Sequence, residues 1–493
     1  MRHNADNLSP TGTPDETNAF RDSIARPLNS RRRLPAISHR RLSLLLALLL
    51  PLLKNSKGMA QEENMAGYRR EYYREDGERI RVDTDSMRFD VGLRKNVRLN
   101  GDIVLDAISG ASPTGAPPQT RWPFPTFGTY YRQAYSSLFQ AAVSDPNNLV
   151  LYQSGIFTTY RDYTNYVALN NLQIPFQATN AAAASYQALT NHSNLRNTKV
   201  PQTELHDRRT AVSLGLPITL GNHEITPGVA YSEESDYLSW GGSLNYSIAL
   251  NSKNTILSLG WAHNADRVRD DKLVWQDKTT DDFFVGVSQL LTPKSYLTVN
   301  CSFSTEHGYL SDPYRGVMLA TKLQNNPDDA ALSAERRPHN RNRQTVFVSW
   351  TQFVPLLYGS VQLDYRLFHD SYGIFAHTLE ASWHVKIGEG LVVSPVFRYY
   401  NQSAANFYYV LVPDYFNGEL GDYKPRPVYY SSDYRLSQLQ AFSAGVNVSW
   451  RLHKHLSLDA SYVRYVMQGL DGDTSPSAYP AANIASLGLR VWF

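Results

Sequence analysis

Disulfide chemistry is excluded from this 493-residue chain, because its single cysteine, Cys301, has no intrachain partner. The same scarcity rules out a cysteine-built zinc or iron–sulfur centre, and the missing Cys-x-x-Cys-His rules out covalent haem. No apolar run of about 18 or more residues occurs, which excludes a multi-helix membrane protein. Net charge is only +3, from 48 basic and 45 acidic side chains, too weak a field for a nucleic-acid binder. Neither Gly-x-Ser-x-Gly nor His-Glu-x-x-His is present, so no familiar hydrolase motif stands out. What is plentiful points elsewhere. Tyrosine, at 32 copies, outnumbers phenylalanine at 19, and 42% of the residues are hydrophobic, too many for a disordered chain. Amphipathic strands with aromatic girdles produce that balance.

The first sixty residues read as an address. Arg31-Arg32-Arg33 and His39-Arg40-Arg41 precede an apolar core from Leu42 to Leu53, and the small-x-small step Gly58-Met59-Ala60 follows. Basic region, apolar core and cleavage site are the parts of a secretory signal, and this core is too short to span a bilayer. Residues 1–60 are therefore expected to be a removed leader, with the mature chain, 61–493, starting near Gln61.

From residue 66 onward the chain alternates. Phe442, Ala444, Val446, Val448 and Trp450 form one face of a segment, and Ser443, Gly445, Asn447, Ser449 and Arg451 form the other. Successive strand side chains point to opposite faces, so the segment has an oily side and a wet side. Cys301 falls on such an oily stripe with Leu297, Val299 and Phe303, where it acts as a small hydrophobe. About sixteen strands can be drawn this way. Alternate connections are then tight turns, such as Lys95-Asn96, Gly388-Glu389 and His453-Lys454, while the long ones fall near 109–204, 307–342, 402–437 and 467–481. A soluble sandwich has no reason to sort its loops by parity. An outer-membrane barrel does, with short periplasmic turns and long extracellular loops. The expected fold is an all-β, closed, antiparallel transmembrane barrel, in which closure pairs every backbone group that lipid would leave unsatisfied. Leu487, Leu489, Val491 and Phe493 form a last outward stripe ending on an aromatic, expected to be the insertion signal engaged by the barrel-assembly machinery.

Several stretches carry a resemblance. Tyr73-Arg-Glu-Asp-Gly-Glu-Arg-Ile80, Asp106-Ala-Ile-Ser-Gly-Ala-Ser-Pro-Thr-Gly115, Gly308-Tyr-Leu-Ser-Asp-Pro-Tyr314, Arg398 to Tyr408 and Ser432-Asp-Tyr-Arg-Leu-Ser437 span most of the mature chain. With them the chain resembles a bacterial outer-membrane barrel family catalogued as a domain of unknown function. The resemblance implies fold and location. It brings no substrate, activity or cofactor.

Parity places Arg88, Asp90, Arg98, Asp102, Asp106, Asp364, Arg366, Glu380, Lys386, Arg398 and Tyr400 on the inner face. One reading is a pore whose lining charges set weak ion selectivity; the other is a self-paired network that stiffens the wall. The long connection 109–204 favours helix around Tyr131, Tyr135, Leu138, Phe139 and Ala142 and again over Ala181–Leu189. It is either a plug in the lumen or an extracellular cap. Loop aromatics such as Tyr415 and Phe416 could stack on sugars, but an interfacial belt accounts for them better. Asp270-Asp271, Asp281-Asp282 and Asp328-Asp329 are assigned to outer loops as solvated charge, since they lack the spacing of a calcium loop. His263 and His377 face outward without an identifiable triad, so no enzyme, metal or cofactor is expected. The sequence thus leads to a barrel of a Gram-negative outer membrane, in contact with lipid and lipopolysaccharide and passing a small polar solute. The alternative is a non-conducting scaffold or receptor that binds through its outer loops.

Overall fold

The computed structural model describes residues 63–113, 200, 202–319, 331–410, 412 and 427–493. The expected leader, the stretches around Tyr131 and over Ala181–Leu189 for which helix is expected, the aromatics Tyr415 and Phe416, and Asp328-Asp329 lie outside the described residues.

Seventeen strand segments form one sheet, and two of them, Gln202–Gly215 and Ile218–Leu220, are a single strand interrupted at Leu216-Pro217. The wall therefore has sixteen strands. They are β1 (Met65–Glu75), β2 (Arg81–Arg94), β3 (Val97–Pro113), β4 (Gln202–Gly215 with its extension), β5 (His223–Glu233), β6 (Tyr237–Leu250), β7 (Thr255–Arg269) and β8 (Trp275–Thr292). They continue as β9 (Ser295–Gly308), β10 (Asn340–Val354), β11 (Gly359–Asp370), β12 (Phe375–Ile387), β13 (Leu391–Gln402), β14 (Leu439–His453), β15 (Leu456–Gly469) and β16 (Ala481–Trp492). Every neighbouring pair is antiparallel, and β1 closes on β16 in unbroken register from Met65 opposite Trp492 to Glu75 opposite Ala482. No edge is left to solvent or lipid. Among the described residues no helix is long and apolar enough to cross a membrane; this chain would cross with its strands.

Alternation fixes which face is which. Val229, Trp240, Leu259, Phe283, Leu379, Trp450 and Leu487 are exposed on a single parity, Trp240 by 61% and Leu487 by 60%. A belt of large apolar side chains open to the surroundings is unstable in water and suited to hydrocarbon. Cys301 lies exposed on the same face, beside Val285 and Val346 of its neighbours.

The tight turns gather at one end, where Gly221 and Gly388 take φ of 65° and 64°, a left-handed backbone that glycine adopts without strain. Two expectations shift. β3 runs on to Pro113 instead of stopping near residue 108, and Asp281-Asp282 lie within β8 instead of an outer loop. Asp281 faces outward and pairs with His263 at 2.9 Å.

Apart from Phe89 and Val91 of β2, the buried apolar residues of the described chain gather at the long-loop mouth. One cluster joins Tyr372, Ile374, Ala376, Ala405, Phe407 and Leu436, and a second joins Tyr434, Leu439, Ala478 and Tyr479.

Candidate functional site: the lumen and its tied mouth

The inward faces of β8 to β13 form a half-open cavity of about 400 Å³ lined by Phe284, Asn300, Ser302, Thr345, Phe347, Asp364, Arg366, Thr378, Glu380 and Arg398. Each lining residue alternates with an outward apolar one, as Arg366 does with Tyr365 and Leu367, so the strand pleat aims it inward. Four residues assigned to the lumen from parity, Asp364, Arg366, Glu380 and Arg398, thus meet in one place.

The other assigned residues fall elsewhere on the inner wall. Arg88 sits opposite Asp102 and pairs with it at 2.6 Å, and Arg98 pairs with Asp90 at 2.7 Å. Asp106 lies 3.9 Å from Arg209. Lys386 stands near the short-turn end of β12, away from the cavity. Tyr400 packs against both buried clusters, and its hydroxyl donates to Gln402 at 2.6 Å. It holds loops to the wall and does not line the cavity.

Above the cavity, loops from distant parts of the ring meet. Arg315, in the β9–β10 loop, donates to Ser112 at 3.1 Å, near the top of β3 and six strands away. Tyr314 donates to Asp236 of the β5–β6 turn. Arg435, in the β13–β14 loop, reaches Asp312 at 2.5 Å and Asp433 at 2.6 Å. Arg337 meets Asp433 at 2.8 Å and Glu335 at 2.6 Å, and Ser431 donates to Glu335 at 2.5 Å. Within this network the guanidinium groups of Arg315, Arg337 and Arg435 thus balance the carboxylates of Asp312, Glu335 and Asp433. Asp433 and Glu335 are almost wholly buried there, so only pairing makes their charge tolerable. Burial pushes the Asp433 carboxyl up, but Arg435, Arg315 and Arg337 outweigh it and hold the group below the usual carboxylate range. Asp312 is lowered in the same way by Arg435 and Arg315. Glu335 ends up raised, because burial, reinforced by Asp433 and Asp312, outweighs Arg337.

This network escapes single-sequence reading, since its members come from the end of β3 and from three separate connections. Two of the family-like stretches, Gly308–Tyr314 and Ser432–Ser437, supply Asp312, Asp433 and Arg435 and were the available signal. The carboxylates of Asp207, Glu234 and Asp236 also converge at the mouth, within 4.8 Å of one another. Among the described residues they alone have the spacing to hold a cation. Glu234 is raised by burial and by Asp207 and Asp236. The outward histidines bond no serine: His263 meets Asp281, and His377 meets the Tyr365 hydroxyl at 2.7 Å.

The model of the family described as "Protein of unknown function (DUF3570)" matches residues 47–273 and 270–479. No curated protein matches the sequence. Among solved structures, a bacterial polysaccharide outer membrane secretin superposes with a TM-score of 0.40 at 8% identity, covering 88% of this chain and 100% of that one. OccK2 (OpdF) of Pseudomonas aeruginosa, solved in complex with glucuronate, gives 0.37 at 7% identity, over 89% of this chain and 100% of that one. The siderophore receptor PirA from Pseudomonas aeruginosa gives 0.34 at 8% identity over 88% of this chain, which spans only 62% of the receptor's length. Superpositions this loose carry nothing about function.

Proposed function

The chain belongs to this family of proteins of unknown function, and from its barrel we propose that it resides in a bacterial outer membrane and passes small polar solutes through a constricted lumen. The observation that carries the reading is the cavity of about 400 Å³ on the inner wall, lined by hydroxyl and amide side chains, two phenylalanines and charges of both signs. An unplugged barrel of this size encloses water, and fixed charges at its narrow part filter what passes. The apolar outer belt supports the membrane location, because closure and lipid together satisfy the backbone and the exposed side chains. The loops tied above the cavity argue for a selective path rather than a wide one.

The same tied loops favour a second reading, a non-conducting scaffold or receptor whose outer surface binds a partner. Swelling of liposomes that hold the folded protein separates the two. A solute path admits monosaccharides and slows with larger oligosaccharides. Liposomes that swell no faster than protein-free ones, with the protein shown folded by heat-modifiable mobility, would replace the pore with the scaffold.

A further inference from the structure

Some inward charges of the wall are paired and others are not. From β15 through β4 most are paired, Arg490 with Asp459 at 3.2 Å, Arg88 with Asp102 and Arg98 with Asp90, whereas Arg69 and Glu71 on the inner face of β1 make no ion pair among the described residues. On β11 to β13 four of them are not, Lys386 near the short-turn end and three that line the cavity. Among the described residues, Arg366, Glu380 and Arg398 make neither an ion pair nor a hydrogen bond. Glu380 and Arg398 stand directly opposite each other on neighbouring strands and still hold apart. Asp364, the fourth charge of the cavity, is committed: it accepts from Ser349 at 2.6 Å and from Gln362 at 3.0 Å.

An ion pair uses up hydrogen-bonding capacity, whereas a free guanidinium keeps five donors in a planar fork that matches a carboxylate. Two such forks line this cavity, projecting from β11 and β13 with one strand between them and a two-residue offset along it, a separation of about 12 Å at the backbone that two long side chains can close. Beside them are one free carboxylate, Glu380, and the neutral groups of Asn300, Ser302, Thr345 and Thr378. Phe284 and Phe347 supply apolar faces of the kind that sugar C–H groups pack on. The volume suits one small molecule.

We propose that this cavity is a binding subsite for a small polyhydroxy carboxylate. Arg366 and Arg398 hold the carboxylate, and Glu380 with the amide and hydroxyl groups takes the hydroxyls. An uncharged sugar lacks the group that the two arginines fit, and an amine would leave them without an acceptor. The inference deepens the solute-path reading and rests on it for its role, though not for its geometry.

The test is calorimetric titration of the detergent-solubilised protein with gluconate, with glucose as the uncharged counterpart, alongside bilayer recordings in the same solutes. Gluconate is expected to bind at least about tenfold more tightly than glucose, since charge-assisted bonds are about twice as strong as neutral ones. The double variant R366Q/R398Q should lose about tenfold or more of gluconate affinity, and E380Q a smaller part. R490Q, on the paired wall, should bind as the unmodified protein does. Heat-modifiable mobility shows that each variant is folded. Equal binding of gluconate and glucose, or full gluconate affinity in R366Q/R398Q, would overturn the subsite. Conductance without gluconate binding removes the subsite and leaves the pore standing. Binding without conductance keeps the subsite and removes the pore.

Discussion

Arg337 and Asp433, separated by 96 residues, are joined at 2.8 Å across the mouth of the barrel. Asp433 is also the acceptor for Arg435 and lies 3.9 Å from Arg315, so one carboxylate ties two loops. Removing its charge leaves three guanidinium groups short of a partner in a buried setting. D433N is expected to cost about 3–5 kcal/mol of local stability, the loss seen when one member of a buried pair is removed. Limited proteolysis should then cut within the β9–β10 and β13–β14 loops while the barrel keeps its heat-modifiable mobility. Unchanged resistance to protease would mean that the network does not hold the mouth.

The same network sets a pH window for the tied mouth. The depressed groups, Asp433 and Asp312, contribute stability above their ordinary value of 3.8 and lose it as pH falls through their lower folded values. Glu335 runs the other way. Its folded value is raised, so its contribution is complete below the ordinary 4.5 and is lost as pH rises through the folded value. Protease resistance of the loops should therefore peak in mild acid and fall on both sides. E335Q should flatten the alkaline side alone, and a symmetrical change would contradict the assignment.

Gly469 marks a close approach between the wall and a mouth loop. A Cβ at this position would fall 2.4 Å from the ring of Tyr479, whose hydroxyl shares a 2.7 Å hydrogen bond with Ser437. G469A must displace the ring or the loop, at a cost of about 1–3 kcal/mol for overpacking. Faster cleavage within 470–480 in G469A is the expected result, and the unmodified rate would show that the loop yields freely.

Facing should decide how the wall tolerates charge. Leu487 points to the apolar surroundings from the middle of β16, and Asn447 points to the lumen from β14. Denaturant titration in lipid should show L487R destabilised by about 2–4 kcal/mol relative to L487A. N447R should lose far less against N447A. Equal losses would mean that both faces meet water.

Much of this was legible beforehand, and the reason is periodicity. Alternation such as Phe442 to Trp450 depends only on neighbours in sequence, so it revealed the strands, their facing and the inward placement of Asp364, Arg366, Glu380 and Arg398. Loop parity revealed which end carries the mouth. Partnership was not legible. Nothing local tells that Arg88 finds Asp102 while Glu380 and Arg398, equally well placed across a strand pair, do not meet. The mouth network was further out of reach, since Ser112, Asp312, Glu335 and Asp433 share no period and are joined only by the ring that carries their loops. Asp281-Asp282 was misassigned because an acidic pair reads as a loop, whereas at the upper edge of a lipid-facing strand the outward Asp281 is held by His263.

The most direct test is single-channel recording of the purified protein in a planar bilayer, compared with D433N. A filtered path beneath tied loops predicts small, discrete conductance steps in the unmodified protein and larger or more frequent steps once the mouth is released. Silence from both proteins, each shown to be folded and inserted, would contradict the account.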